Sequence, residues 1–280
     1  TIQKLGTASF DATFVGAFDN FKTKGTFRTA IGLVTGDLAL KLADKSDQTT
    51  YTANLRSENL DLGQLIDQPD EFGKLTGEGR ITGRGTDFKR ATIDFDGKFS
   101  QFSWQRYAYQ QVAARGNLQK ALFQGQLHIH DPNLSFDLDG EFNLSGPRNH
   151  FDFKGDIQRA DLRALGYLND SLVVQSNVDV QLEGSKLDDI VGSAIFNNTM
   201  LSRNGRNLAI EKLNLTSSIE QHARGTVDSM GSQRYFDLDS DFLTTRLQGN
   251  FEPQRTIDDL KRLVREYTLH FPGDAAGMKA

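Results

Sequence analysis

The strongest constraint on the fold of this chain is a period of two. Apolar residues alternate with polar ones at Phe10, Ala12, Phe14, Gly16 and Phe18, at Leu38, Leu40 and Leu42, at Tyr51, Ala53 and Leu55, and at Ala91, Ile93, Phe95, Gly97 and Phe99. The pattern resumes at Leu127 and Ile129, from Leu134 through Phe136, Leu138, Gly140 and Phe142 to Leu144, at Phe151 and Phe153, and at Val174, Val178, Val180 and Leu182. It returns at Ile219, Ala223 and Val227 and at Phe236, Leu238 and Phe242. Successive side chains of a strand point to opposite faces, so each run makes a strand with one dry and one wet face. That suits antiparallel pairing and excludes the continuous apolar runs of a parallel sheet covered on both sides. Composition agrees, with 26 glycines and 20 phenylalanines against 5 prolines and 3 methionines, a set rich in turn formers and strand aromatics.

Turn chemistry separates the runs at short intervals: FDNFKTKG (18–25), ADKSDQTT (43–50), HDPN (130–133), SGPRNH (145–150) and SRNGRN (202–207). Sequential strands joined this way form a meander. Two stretches interrupt it alike, ANLRSENLDLGQLID (53–67) and GDIQRADLRALGYLN (155–169), each carrying Asp-Leu-x-x-Leu, with Asp61 and Leu62 standing 100 residues before Asp161 and Leu162. After each comes a strand ending in glycine and a charged link. Residues 1–255 therefore read as a repetitive groove segment with two repeats of about 100 residues. In TIDDLKRLVREYTLHFPG, Thr256 is placed as an N-cap and Ile257, Leu260, Val264 and Tyr267 share a face. This predicts an amphipathic helix over 256–271, able to lie across a sheet or plug an edge, and a tail over 272–280.

Net charge of −5 leaves no basic field to hold a phosphate backbone, which argues against a nucleic-acid partner. Without cysteine there is no disulfide, thiol nucleophile or thiolate metal site. No apolar run approaches the ~20 residues of a membrane-spanning helix, and the start TIQKLGTASF lacks both Met and a signal pattern, so a segment of something longer is expected.

QGQLHIHDPNLSFDLDGEFNLSG (124–146) holds two histidines one residue apart. A hairpin closed at HDPN pairs Ile129 with Leu134, Leu127 with Phe136, Gly125 with Leu138 and Phe123 with Gly140, which sends His128 and His130 to the wet face near Ser135 and Asp137. No third zinc ligand is evident there. LTGEGRITGRG (75–85) does not have phosphate-loop spacing; Gly77, Gly79, Gly83 and Gly85 share parity with Ile81 and empty one face, as where a neighbour or ligand approaches the backbone. FDLDSDF (236–242) has Phe242 and Gln248 where a calcium loop requires Gly and Glu, so Asp237, Asp239 and Asp241 read as one wet face. No H-E-x-x-H or G-x-S-x-G occurs, although carboxylates on alternating strands can neighbour one another as in a paired-carboxylate glycosidase. A protein with no enzymatic activity, cofactor or metal is expected.

A long one-sided sheet hides its dry face by closing on itself or by curling into a trough that meets a ligand. A uniformly apolar lining favours the trough; some 18 strands at ~4.8 Å would extend on the order of 80 Å. The ordered set DLGQLIDQPDEFGKLTGEGRITGRGTDF, FDGKFSQFSWQRYAYQQVAARGNLQKALFQGQLHIHDPNLSFDLDGEFNLSG and FDFKGDIQRADLRALGYL, preceded by ASFDATFVGAFDNFKTKGTFRTAIGLVTGDLALKL, resembles the middle part of the TamB family within the AsmA-like superfamily, especially its Bacteroidota form, over residues 5–271. The resemblance implies an all-β, elongated antiparallel groove of the β-taco kind. It also implies a periplasmic setting in a longer protein anchored in the inner membrane, and contact with a BamA-type outer-membrane protein through regions outside this segment. The family's work is carriage of phospholipid between the two membranes and support of outer-membrane protein assembly. The candidate lining is Phe95, Phe99, Leu127, Ile129, Leu134, Phe136, Leu138, Phe142, Leu144, Phe151, Phe153, Val178 and Val180. The alternative is a closed, elongated β-domain acting as a protein- or carbohydrate-binding adhesion module.

Overall fold

The computed structural model describes residues 6–249, apart from 88, 89, 106, 186 and 223–230, together with residue 255. The predicted helix over 256–271 and the 272–280 tail lie outside the described residues, as do Ala223 and Val227. Strands follow one another as β1 (Ser9–Ala17), β2 (Asn20–Thr29), β3 (Gly32–Lys41), β4 (Thr50–Asp61), β5 (Phe72–Arg84), β6 (Thr92–Trp104), β7 (Tyr107–Gln119) and β8 (Leu122–His130). They continue as β9 (Leu134–Asn143), β10 (His150–Asp161), β11 (Val173–Glu183), β12 (Val191–Arg203), β13 (Arg206–His222), β14 (Gly231–Ser240) and β15 (Thr244–Gly249). A single helical turn, α1 (Leu62–Ile66), follows β4, and short 3-10 turns occupy Ser46–Gln48 and Leu187–Asp189.

All fifteen strands form one antiparallel sheet whose spatial order is the sequence order. Among the described residues β1 pairs with β2 alone and β15 with β14 alone, so the sheet is open and about 70 Å long at ~4.8 Å per strand. The closed domain is therefore not the architecture of the described residues, and the expected 18 strands number fifteen there. The end strands show the cost of having one neighbour. Phe10 and Phe14 on β1 remain 62% and 54% exposed, and Leu247 on β15 is 42% exposed.

Pairing carries each face from strand to strand. On the wet face one row runs Lys24, Asp37, Asn54, Arg80, Asp96, Arg115, Gln126, Asp139, Lys154, Asp179. Asn54 donates to Asp37 at 2.8 Å, Arg115 to Gln126 at 2.7 Å, and Lys154 lies 3.4 Å from Asp179. Such exposed pairs stabilise by only ~0.2–1 kcal/mol each, but a one-residue slip would turn every one of them inward, so they help fix register.

Irregular residues then bend the strands. Inward positions run Ala53, Leu55, Ser57 on β4 and switch parity to Leu60 after Asn59, whose φ is 52°. The same switch takes β6 from Phe99 to Phe102, β7 from Val112 to Tyr109 past Gln111 (φ 48°), β10 from Ile157 to Ala160, and β12 from Phe196 to Thr199 past Asn198 (φ 51°). An extra residue at a bulge restores the apolar side chains beyond it to the inner face and adds a local bend. These switches form a crease across much of the sheet.

Candidate functional site

The inner face consists of rows running at right angles to the strands. One row reads Ala12, Gly25, Gly36, Leu55, Gly79, Gly97, Ala114, Leu127, Leu138, Gly155, Val178, Phe196, Leu213. On one side of it lie Phe27, Val34, Ser57, Gly77, Phe99, Val112, Ile129, Phe136 and Ile157. On the other lie Leu38, Ala53, Ile81, Phe95, Gly116, Gly125, Gly140, Phe153 and Val180, and beyond them Leu40, Tyr51, Gly83, Ile93, Leu118, Phe123, Phe142, Phe151 and Leu182.

Eleven of the thirteen residues expected to line the groove fall on these rows; Leu134 lies one row further, past the crease, opposite Ala160. Leu144 lies on none: it follows the last residue of β9 and is 40% exposed, its N–H bonded to the Ala121 carbonyl at 2.9 Å. Phe95, Phe123, Phe142 and Phe153 form a ladder of rings with centroids 5.8, 5.7 and 5.7 Å apart. These rings lie over glycines. A Cβ on Gly116 would stand 2.6 Å from the Phe123 ring, and one on Gly155 would stand 2.7 Å from the Phe136 ring. The emptied face of LTGEGRITGRG has the same cause, since Phe99 covers Gly77 and Tyr51 covers Gly83, while Gly79 faces Gly97. Gly85 instead lies beyond β5 with φ 87°, off the strand face.

The two Asp-Leu-x-x-Leu stretches are built alike and used differently. Each ends a twelve-residue strand, and each aspartate accepts from the backbone N–H three residues on, Asp61 from Gln64 at 2.9 Å and Asp161 from Ala164 at 3.1 Å. This is N-cap geometry, which turns the chain sharply and folds both leucines back over the inner face. Leu62 and Leu65 of α1 line a cavity of about 540 Å³ between β1 and β6, with Phe10, Phe27, Val34, Leu55, Leu60, Leu75, Ile81, Phe95 and Phe99 among the other walls. Leu165 instead is buried in a packed cluster with Tyr109, Val112, Ile129 and Ala160, with Trp104, Leu127, Leu134 and Leu162 against it. The groove is thus hollow at β1–β6 and filled at the crease side of β7–β11. The candidate lining named from sequence emphasised the filled half. Residues such as Phe27, Val34, Leu60 and Leu75 were missed, although the spacing Phe99-x-x-Phe102-x-Trp104 signals the parity switch that places Leu60 and Leu75 on one row with Phe102.

Burial sets the electrostatics of the filled half. The Tyr109 phenol is pushed up to about 12, first by burial and then by the neighbouring Tyr167. Tyr107 is also raised, by burial and by Asp131, to whose carboxylate it donates at 2.6 Å. Asp131 is 5% exposed and also accepts from Gln110 N at 3.0 Å and Asn133 N at 2.8 Å. Drawn into these bonds, Asp131 belongs to the turn, and the hairpin pairs Ile129 with Phe136, Leu127 with Leu138, Gly125 with Gly140 and Phe123 with Phe142. The expected pairing is corrected by two residues, which leaves every side chain on its expected face. His128 and His130 are on the wet face; His128 Nδ1 is 2.6 Å from Asp137 Oδ1, and His130 Nδ1 is 3.2 Å from the Ile129 carbonyl.

The lining is less uniform than its alternation predicts. Ser57, Ser176 and Thr199 face inward, the last two hydrogen-bonded at 2.8 Å. Arg234, 6% exposed and paired with Ile219 on the inner side, donates to the Ile190 carbonyl and Ser217 Oγ at 3.0 Å each and to the Asp188 carbonyl. Burial lowers its pKa, and these acceptors tie down the 184–190 connection. On the wet face Asp237 pairs with Arg246 at 2.5 Å, whereas Asp241 leaves the strand for the β14–β15 turn and accepts from Glu211 N and Lys212 N at 2.8 and 2.9 Å. No group of three metal-ligating side chains occurs among the described residues.

No family model, curated protein or solved structure matches the chain.

Proposed function

We propose that this chain is a stretch of a hydrophobic groove that carries phospholipid through the periplasm between inner and outer membranes, within a longer inner-membrane-anchored protein. In this reading the groove also supports outer-membrane protein assembly, and contact with a BamA-type outer-membrane protein falls to regions outside this segment. The observation that carries the reading is an open sheet, about 70 Å long, whose inner face keeps its apolar rows from strand to strand and holds a cavity of about 540 Å³. Acyl chains rest on the rows while head groups stay at the open, wet side. Each buried methylene contributes roughly 0.8 kcal/mol, and neighbouring strands offer similar surfaces, so a chain moves along the rows without leaving an apolar environment.

The test is uptake of phospholipid from vesicles by the purified chain, followed by lipid extraction and native mass spectrometry. Wild type is expected to carry phospholipid. Phe95→Glu, Phe136→Glu and Phe142→Glu place a charge on the rows and are expected to abolish uptake while strand content by circular dichroism is retained. Wild-type uptake by folded charge variants would refute the proposal.

A further inference from the structure

Burial of the inner face falls away toward β15. Val178 and Val180 on β11 are each 7% exposed, whereas Phe236 on β14 and Leu247 on β15 remain 36% and 42% exposed although they face each other across the strands. Between the two levels the side chains are small. One inner row runs Leu182, Gly192, Ser217, Phe236, Leu247 and the next Val180, Ala194, Leu215, Leu238, Thr245, so Gly192, Ala194 and Ser217 stand among larger residues. Gly116 and Gly155, farther along the groove, lie under rings; a Cβ on Gly192 would meet backbone of β11 first, the Gln181 carbonyl and Leu182 Cα. The rows thus leave a shallow apolar depression over β12–β15.

Residues 250–280 follow β15 directly, and Arg255, the residue of this stretch that is described, is helical. The face shared by Ile257, Leu260, Val264 and Tyr267 needs an apolar partner, and the tether limits the choice. Residues 250–254 reach at most about 17 Å, and a helix over 256–271 is about 24 Å long. It cannot lay its face in the β1–β6 trough, which begins nine strand spacings, about 43 Å, from β15. The wet side of β13–β15 presents Thr216, Asp237, Asp239 and Arg246, which leaves the inner side. Spacing agrees: along a helix laid on the rows, Leu260, Val264 and Tyr267 stand about 4.5, 10.5 and 15 Å beyond Ile257, and successive strands lie about 4.8, 9.6 and 14.4 Å beyond the first.

We propose that residues 256–271 are the occupant of this depression. The segment turns back after β15 and lies along the rows, with Ile257 over β15, Leu260 over β14, Val264 over β13 and Tyr267 over Gly192 and Ala194 of β12. The contact is intramolecular and covers the inner face at the β15 end, whatever the rest of the groove carries.

The chain has no cysteine, so pairs introduced into it report the seat directly. Val264→Cys with Leu215→Cys, on the inner face of β13, is expected to be joined within one chain by a bismaleimide, read by mass spectrometry of the monomer. Val264→Cys with Thr216→Cys, on the wet face, is expected to join at least about tenfold less, because a seated segment holds only one face within reach. Adding Leu260→Glu to the first pair, which puts a charge into the seat, is expected to lower its yield by about tenfold. Where Leu215→Cys disturbs the fold by circular dichroism, Tyr267→Cys with Ala194→Cys or with Ser193→Cys on β12 makes the same comparison. Equal yields on the two faces, a link formed only between two chains, or no link in folded variants overturns the proposal. None of these results bears on lipid uptake by the variants at Phe95, Phe136 and Phe142.

Discussion

Leu65 and Leu165 occupy the same place in two copies of one motif, yet truncating them is expected to have different consequences. Leu165 is 9% exposed in the cluster with Tyr109, Val112, Ile129 and Ala160. Leu165→Ala removes buried methyl groups and leaves a void, a change that costs about 2–5 kcal/mol in packed cores. Leu65 is half-buried on the wall of a cavity that already exists, so Leu65→Ala loses part of the transfer term and creates no new void, about 1 kcal/mol. The chain supplies its own local probe. Its single tryptophan, Trp104, packs on the Leu165 cluster with its ring 6.5 Å from that of Tyr109. Urea unfolding followed by Trp104 fluorescence should show Leu165→Ala lowering the midpoint by about 1–2 M, for a slope near 2 kcal/mol/M. Leu65→Ala should shift it by under half that. Equal shifts, or a larger one for Leu65, would refute the division of the groove into a hollow and a filled half.

Three further outcomes are expected. Tyr109, pushed up to about 12 in the folded chain, contributes stability that is fully present below the unfolded tyrosine value near 10 and is lost as pH rises through the folded one. The loss is on the order of 2–3 kcal/mol, and Tyr109→Phe should flatten this alkaline decline; a decline identical to wild type would count against burial as its cause. Asp137 is held below its ordinary 3.8, first by the hydrogen bond from His128 and then by that from Gln158, so its stabilisation is full above the unfolded value and is lost as pH falls through the lower folded one. In a carboxylate NMR titration His128→Ala should move the Asp137 midpoint upward, and an unmoved midpoint would discount the pair. Arg234→Met removes the guanidinium donor from the Asp188 and Ile190 carbonyls, the latter keeping Ser217 Oγ at 2.8 Å, which should cost about 2 kcal/mol and lower the melting temperature by roughly 4–8 °C; an unchanged melting temperature would show that these bonds do not hold the connection.

Alternation by itself determined the strand type, the antiparallel meander and the face of nearly every apolar residue, because a period of two is local and survives any register shift of two. That is why the hairpin at HDPN kept its faces although its pairing moved from Ile129–Leu134 to Ile129–Phe136. The matching capped turns at Asp61 and Asp161 were also legible, since capping needs only an aspartate and an amide three residues on. Tertiary structure alone decided the rest. Whether Leu65 lines a cavity and Leu165 a core depends on neighbours from distant strands, the trough walls at Phe10 and Phe99 on one side and Tyr109 and Ile129 on the other. Arg234 looks like any strand arginine until the 184–190 connection brings it carbonyls to bond. Sequence supplies the parity of each side chain; which parities meet, and whether they leave space between them, follows from how far the strands bend at Asn59, Gln111 and Asn198, and that bend is a property of the assembled sheet.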